Sequence, residues 1–265
     1  MIANTAAYHF VAIADPDALA ARLQDWAQAG ALRGTILVAG EGINLFLAGA
    51  PETIEDFYAQ LRADPRFAAL RVKTSLSAQQ PFARLKTKVK PEIISFRRDA
   101  ASPLAAERAP AVAPATLQRW LRQGHDDSGR RVVLLDTRNA QEVEYGTFAG
   151  ALTLPIVKFT ELPEALAPHR AELADATVVS FCTGGIRCEK AALWMRADGM
   201  HNVLQLDGGI LGYFEEVGGE GYAGRCFVFD ERVALDPQLR PLVDVAEVGI
   251  GESGLGIGQS GLTRN

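Results

Sequence analysis

The stretch VVSFCTGGIRCEKAAL, residues 178–193, places a cysteine at the end of a β-branched apolar run, just where a helix should begin. A strand ending at Cys182 would leave the thiol above a helix N-terminus, among inward-pointing backbone amides. Gly184 and Gly185 allow the backbone to curl there without Cβ clashes, and the Arg187 guanidinium adds a positive charge. Amides and a guanidinium favour a thiolate, so we predict that Cys182 has a lowered pKa and is reactive.

The remaining cysteines allow a plainer interpretation. A buried cysteine is usually inert packing, and we apply this interpretation to Cys188 and Cys226 taken singly. Three cysteines do not make a disulfide framework, and a reducing compartment would keep them as thiols. Cys188 could resolve an oxidised Cys182 if the two side chains point towards each other. The predicted active-site loop therefore comprises the catalytic pair Cys182 and Arg187 with Thr183, Gly184, Gly185, Ile186 and Cys188.

Strands and helices that alternate along the sequence must position this loop. RVVLLDTR, TVVSFC and NVLQLDGG read as strands, ATLQRWLRQ and RCEKAALWMRADG as helices, and ELPEALAPHRAEL as a helical stretch that breaks at Pro168. Continuous apolar strands alternating with helices indicate a parallel sheet covered on both faces, with a ligand crevice at the carboxyl ends of its strands. We assign residues 116–235 to this α/β domain.

Residues 1–98 predict a separate α+β domain. YHFVAIAD, GTILVA, INLFLA, LRVKTSL and EIISF read as strands, with helices over DPDALAARLQDWAQAG and PETIEDFYAQLRADP. The order βαββαβ is that of a ferredoxin-like sandwich, an antiparallel sheet with two helices on one face. The Ala- and Pro-rich residues 99–115 read as a linker between the domains.

The Gly-rich tail, residues 236–265, contains a misleading motif. GIGESGL and GIGQSGL at 249–262 each match G-x-G-x-x-G, but no βαβ unit follows them. We therefore predict a flexible duplication and no dinucleotide site. The four histidines are scattered, so no motif marks a metal site, and no flavin or nicotinamide fingerprint is present. The residues leave the identity of any cofactor and of the electron donor open.

Composition narrows the class of protein. The net charge of -5 gives no general attraction to nucleic acid or anionic membranes, so such a contact needs a local basic patch. No apolar run approaches the length of a membrane span, and the N-terminus lacks the features of a signal peptide. We expect a cytoplasmic protein that does not contact membranes.

RLKTKVK is the local basic patch. In a strand it would place Arg84, Lys86, Lys88 and Lys90 on one face, where they could follow a phosphate backbone. The alternative is that these charges only protect an exposed edge strand from pairing with another chain. The residues alone leave the two interpretations about even.

Three stretches resemble rhodanese domains: CTGGIR resembles their active-site loop, LLDTRNAQEVEYGTFAGALTLP their first signature, and LDGGI a later glycine pair. One departure stands out, because Thr147 and Phe148 follow Gly146 where rhodaneses usually carry a histidine. Four residues separate Cys182 from Arg187, as in sulfur-carrying rhodaneses. The related phosphatases have five, so the spacing disfavours a phosphatase.

A closer resemblance covers most of residues 8–235. RGTILVAGEGINLFLAG, FARLKTKVKPEIISF, CTGGIRCEKA and GRCFVFDERVAL together resemble the bacterial tRNA uridine hydroxylase family. The resemblance implies hydroxylation of the wobble uridine of tRNA to 5-hydroxyuridine, with molecular oxygen as co-substrate. It also favours the basic patch as an RNA-binding surface.

Two chemistries for Cys182 stay open. Its thiolate could add to C6 of the uridine and make C5 able to react with oxygen, while Arg187 and the loop amides stabilise negative charge. Alternatively, Cys182 could carry a persulfide, and the protein would be a sulfurtransferase that supplies a small acceptor or carrier protein. A noncatalytic rhodanese-like binding module is a third possibility, disfavoured because a module has no use for an activated thiol.

Overall fold

The computed structural model describes residues 1–243, which form two five-stranded sheets and two small two-stranded ones. The Gly-rich duplication at 249–262 lies outside the described residues. Within the described chain, no helix has the length and apolar character needed to cross a membrane.

The N-terminal sheet has the strand order β4-β1-β3-β2-β5. Its elements are β1 (Ile2–Phe10), α1 (Pro16–Ala29), β2 (Arg33–Ala39), β3 (Gly42–Gly49), α2 (Pro51–Arg62), β4 (Val72–Ser77) and β5 (Leu85–Val89). The first four strands pair antiparallel in the predicted ferredoxin-like order, which is confirmed. The fifth strand pairs parallel with β2 and makes the sheet mixed.

The prediction of a strand over EIISF was wrong, and the last strand of this sheet is LKTKV instead. The apolar residues of 92–96 serve two different clusters, because Ile93 packs near Phe10 whereas Phe96 stacks on Phe159. The Glu92 carboxylate accepts the N–H of Phe96 at 2.5 Å and so holds the segment in a turn. Glu92 also accepts the N–H of Arg97 at 3.0 Å, so these two backbone N–H groups bond to a side chain within the segment and not to a neighbouring strand.

The N-terminal sheet has one covered and one open face. Alternate residues of the strands, such as Ala7, Ile36 and Leu45, pack with α1 and α2 in one apolar core. The intervening residues face the second domain. Tyr8 and Phe10 on this open face pack with Ile186, which begins the active-site helix of the second domain.

The second sheet has the order β6-β11-β10-β7-β9, and all of its neighbouring strands pair parallel, as predicted. Its strands are β6 (Ala111–Val112), β7 (Val132–Asp136), β9 (Leu152–Thr153), β10 (Thr177–Phe181) and β11 (Val203–Leu206). The helices are α3 (Pro114–Gln123), α4 (Ala140–Val143), α5 (Leu162–Leu166), α6 (Arg170–Leu173), α7 (Ile186–Ala197) and α8 (Gly209–Val217). Short ribbons join β8 (Gly146–Phe148) to β12 (Tyr222–Gly224), and β13 (Cys226–Phe227) to β14 (Ala234–Leu235).

Two features of this domain go beyond the sequence analysis. Helix α8 was not predicted, and β6 lies inside the segment interpreted as a linker. The 3₁₀ turn at Ala167–His169 separates α5 from α6 at the predicted break. The exact division of the chain into 1–98, 99–115, 116–235 and 236–265 stays a prediction.

Buried and half-buried ion pairs fix the two domains against each other. The Lys190 ammonium on α7 lies 2.8 Å from the Glu41 carboxylate and 3.0 Å from that of Glu92. Arg71, which directly precedes β4 and is largely exposed, adds a further pair with Asp207 at 2.8 Å. The open face of the first sheet is thereby held over the carboxyl ends of the second sheet's strands, where parallel α/β folds bind ligands.

Candidate active site

Cys182 follows β10 directly, and α7 begins four residues later. The Gly185 N–H donates to Cys182 Sγ at 3.2 Å, and Gly185 has the left-handed φ of 101° that lets its amide turn inward. Helix α8 also contacts the loop, because the N–H of Ile210 donates to the Cys182 carbonyl at 2.9 Å. A Cβ at Gly209 would lie 2.5 Å from that carbonyl oxygen, so only glycine allows α8 to approach the loop this closely.

The surroundings of Cys182 favour its thiolate. Burial raises the pKa, but a hydrogen bond from Cys188, the charge of Arg187 and the amides of Arg187 and Gly185 outweigh burial and lower it to about 6. Hydrogen bonds and positive charge stabilise the ionised form directly. The thiol is therefore mostly ionised at neutral pH, and it is only 1% exposed.

Cys188 interacts with Cys182, and its role in resolving an oxidised Cys182 stays a prediction. Burial and the neighbouring Cys182 raise the pKa of Cys188 well above its ordinary value, so it stays a thiol and can donate its hydrogen. Thr137 Oγ1 lies 3.6 Å from Cys188 Sγ on the other side. Burial raises the pKa of Cys226 to about 12, as expected of an inert packed thiol.

Arg187 lies in the site but does not point freely into it. Its guanidinium forms a two-pronged ion pair with the buried carboxylate of Glu142, at 2.9 Å and 2.8 Å. Glu142 is held in turn by a capping box at the start of α4 with Asn139. The guanidinium is thus a fixed positive charge close to the thiolate, and the Phe229 ring lies 5.9 Å from it.

The pair Asp136 and Arg138 supports the loop without lining the cavity. Both side chains are fully buried and lie 2.6 Å apart, and Arg138 also donates to the Gly146 carbonyl at 2.7 Å. Thr147, at the position where rhodaneses usually carry a histidine, donates to Asp136 at 2.8 Å. In this chain the side chain at that position therefore hydrogen-bonds to the buried Asp136–Arg138 pair.

A cavity of about 760 Å³ lies between the open sheet face and the active-site loop. Cys182, Thr183, Gly184, Ile186 and Arg187 line it from the loop side. Asn44, Phe46 and Lys73 line it from the sheet side. Its size lies in the range of small-molecule and cofactor sites, so it can accept a nucleoside.

Lys73 is a site residue that the sequence analysis missed. Its ammonium donates to the Gly184 carbonyl at 2.9 Å, across the domain boundary. Burial lowers its pKa, and the nearby thiolate of Cys182 partly offsets this effect. The only sequence signal was a lysine inside the predicted strand LRVKTSL, which does not show which domain it would meet.

The predicted basic stripe lies on strand β5, as expected. Lys86 pairs with Thr35 and Lys88 with Leu37 in the parallel register. Since Leu37 and Lys90 line the cavity, the stripe lies on the open face of the sheet. Arg84, Lys86, Lys88 and Lys90 are all exposed.

No group of three or more His, Cys, Asp or Glu side chains among residues 1–243 is arranged to hold a metal ion. The titratable chemistry at the cavity lies instead in the Cys182 thiolate, the fixed charge of Arg187 and the Lys73 ammonium.

Comparisons with known proteins agree with this architecture. The model of the UPF0176 acylphosphatase-like domain matches residues 2–93, and that of the rhodanese-like domain matches residues 116–216. The chain is therefore a rhodanese-domain protein with an acylphosphatase-like N-terminal domain. Among solved structures, a Saccharomyces cerevisiae homolog of single-domain rhodanese and of the Cdc25 phosphatase catalytic domain is 18% identical, over 43% of this chain and 87% of its own, with a TM-score of 0.36.

Much more similar relatives exist. A tRNA uridine(34) hydroxylase of Xanthomonas campestris pv. campestris is 76% identical over 93% of this chain and 97% of its own length. One of Xylella fastidiosa is 68% identical over 94% of this chain and 96% of its own. The chain belongs to the tRNA uridine(34) hydroxylase family.

Proposed function

We infer that this protein hydroxylates uridine 34 of tRNA, the activity for which its relatives are named. We further propose that Cys182 is the reactive group. The observation that carries this assignment is a buried thiol at the wall of a nucleoside-sized cavity, where Cys188, Arg187 and the loop amides lower its pKa, with a basic strand along the same sheet face.

The geometry suits attack on a pyrimidine ring. A thiolate adds to C6 of uridine when the negative charge that develops on the ring is stabilised. Arg187 supplies a fixed positive charge, and Lys73 places an ammonium at the same cavity wall. Because Arg187 is held by its ion pair with Glu142, we assign its guanidinium the role of stabilising the thiolate and not of transferring a proton.

The basic stripe supplies the matching contact for RNA. Four exposed positive charges at every second residue can follow successive phosphates, in a protein whose net charge of -5 otherwise repels them. Because Lys90 lines the cavity, an RNA chain bound along β5 would reach the mouth of the site. We propose Arg84, Lys86, Lys88 and Lys90 as the RNA-binding residues.

Transfer of one oxygen atom from O₂ to uridine leaves the other atom to be reduced to water, so the assay includes a two-electron reductant such as ascorbate. Incubation of the purified protein with unmodified tRNA and this reductant, in air and under nitrogen, tests the proposal. Nucleoside mass spectrometry should show one added oxygen at the wobble uridine only in air, and none with Cys182→Ala. Cys226→Ala is the matched control, because that thiol does not line the cavity and the change should leave the activity intact. A persulfide on Cys182 without added oxygen would refute the hydroxylase and favour the sulfurtransferase.

A further inference from the structure

Two large apolar side chains stand exposed at the same cavity. Phe229 is 56% exposed and Val157 is 72% exposed, and both line the cavity whose deep wall holds Cys182. Exposed apolar surface beside a binding cavity commonly marks a contact with a ligand. Because Cys182 is buried whereas these two side chains face solvent, they lie at the mouth.

The Phe229 ring is packed, and the backbone of Val157 is hydrogen-bonded. The Phe229 ring packs edge-on against Phe227, with centroids 5.0 Å apart, and its other neighbour is the Arg187 guanidinium. The next residues of its loop are anchored to the first domain, where Arg232 donates to Ser75 Oγ at 2.7 Å. The Val157 N–H donates to Glu161 at 2.8 Å. Rigid groups lose little freedom on binding.

The charges around the mouth identify the kind of occupant. Lys90, at the end of the basic stripe, and Arg97 line the same cavity. An apolar platform at the end of a basic track fits single-stranded nucleic acid, in which phosphates follow the charges and bases stack on aromatic rings. An apolar protein segment would gain nothing from the exposed lysines.

The burial of Cys182 determines which base can contact Phe229. A target base must leave its stack and enter the cavity to reach the thiolate. Its neighbour in the chain then loses a stacking partner at the mouth, where the Phe229 ring offers a replacement. We propose that Phe229 forms a stacking platform for a nucleobase directly adjacent to the target uridine, an inference that rests on the proposed function.

Photo-crosslinking tests the platform directly. Anticodon stem-loop RNAs would carry 5-iodouridine at position 33, 34 or 35 in turn, bound to the wild-type protein under nitrogen and irradiated, and the crosslinked peptide would be mapped by mass spectrometry. We expect a crosslink to Phe229 from position 33 or 35. A crosslink to Phe229 from position 34 alone, or none to Phe229, would overturn the proposal.

Binding of the unsubstituted stem-loop provides the second test. Phe229→Ala should weaken binding about tenfold, whereas Phe229→Tyr should restore it. Leu104→Ala is the control, because Leu104 is 46% exposed but does not line the cavity. Unchanged binding by Phe229→Ala would overturn the platform. Absence of hydroxylation by the wild-type protein in air would instead refute the proposed function, so the two failures can be distinguished.

Discussion

The hydrogen bond from Cys188 to Cys182 leads to a quantitative prediction. It is the largest of the effects that lower the pKa of Cys182 to about 6, against burial, which raises it. Replacing Cys188 by alanine removes the donor, whereas serine keeps a hydroxyl donor at the same place. The pKa of Cys182 should therefore rise in Cys188→Ala and stay near the wild-type value in Cys188→Ser.

The size of the shift follows from the strength of such a bond. Hydrogen bonds to charged groups contribute about 1.5–3 kcal/mol, and a thiol is a weak donor, so the lower value applies. At about 1.4 kcal/mol per pKa unit, the pKa of Cys182 should rise by about one unit. At pH 6 the ionised fraction would then fall from about one half to about one tenth.

Alkylation by iodoacetamide measures this fraction, because only the thiolate reacts. Mass spectrometry of the Cys182 peptide over a pH series gives the midpoint, and Cys188 should not interfere because its own pKa is raised. Cys188→Ala should react about fivefold more slowly than wild type at pH 6 and equally fast at high pH. Identical midpoints for wild type and Cys188→Ala would refute the assigned hydrogen bond. A wild-type midpoint near 8.5, that of an unperturbed cysteine, would refute the activated thiolate.

Three further predictions concern the loop, the domain contact and the basic stripe. Gly185→Ala should lower the Tm by several degrees, because Gly185 has a positive φ and the new Cβ would lie 2.9 Å from Tyr8 Oη. Gly184→Ala is the control and should melt as wild type does, because a Cβ at Gly184 would have no atom within 4 Å. Burial raises the pKa of Glu92, but the Phe96 N–H and Lys190 outweigh burial and lower it. The stability it contributes is therefore present above its unfolded pKa of about 4.3 and lost as pH falls through the lower folded pKa, so urea titrations should show a smaller acid loss in Glu92→Gln than in wild type. Lys88→Ala should reduce the salt dependence of tRNA binding by about one unit of slope, whereas Arg22→Ala, on the helix side of the sheet, should leave the slope unchanged.

The loop was predictable because its determinants are local. A strand end, two glycines and a helix start within ten residues define where the Cys182 thiol sits, and the structure places the backbone amides there. The alternation of RLKTKVK predicted one basic face for the same reason. Short-range patterns of this kind depend only on the geometry of a strand or a turn.

The contacts that complete the site were not predictable, because they join residues far apart in the chain. Glu142 precedes its partner Arg187 by 45 residues, Lys73 precedes Gly184 by 111, and Glu41 precedes Lys190 by 149. Lys190 is buried between two carboxylates of the first domain. The Glu142–Arg187 pairing requires the fold of the second domain, whereas the other two pairings require the docking of both domains.

EIISF shows how a local pattern can mislead. Its β-branched and aromatic residues satisfy strand propensity, but the segment turns around Glu92, whose carboxylate accepts the N–H groups of Phe96 and Arg97. In this segment tertiary contacts outweigh the strand propensity of the residues.

Isotope labelling tests the central claim most directly. The purified protein would be incubated with unmodified tRNA under ¹⁸O₂ in ordinary water, and the wobble nucleoside analysed by mass spectrometry alongside a Cys182→Ala reaction. We predict one atom of ¹⁸O in the wobble uridine with wild type and none with the variant. Unlabelled oxygen in the product, or label that persists in Cys182→Ala, would contradict hydroxylation by molecular oxygen through this thiolate.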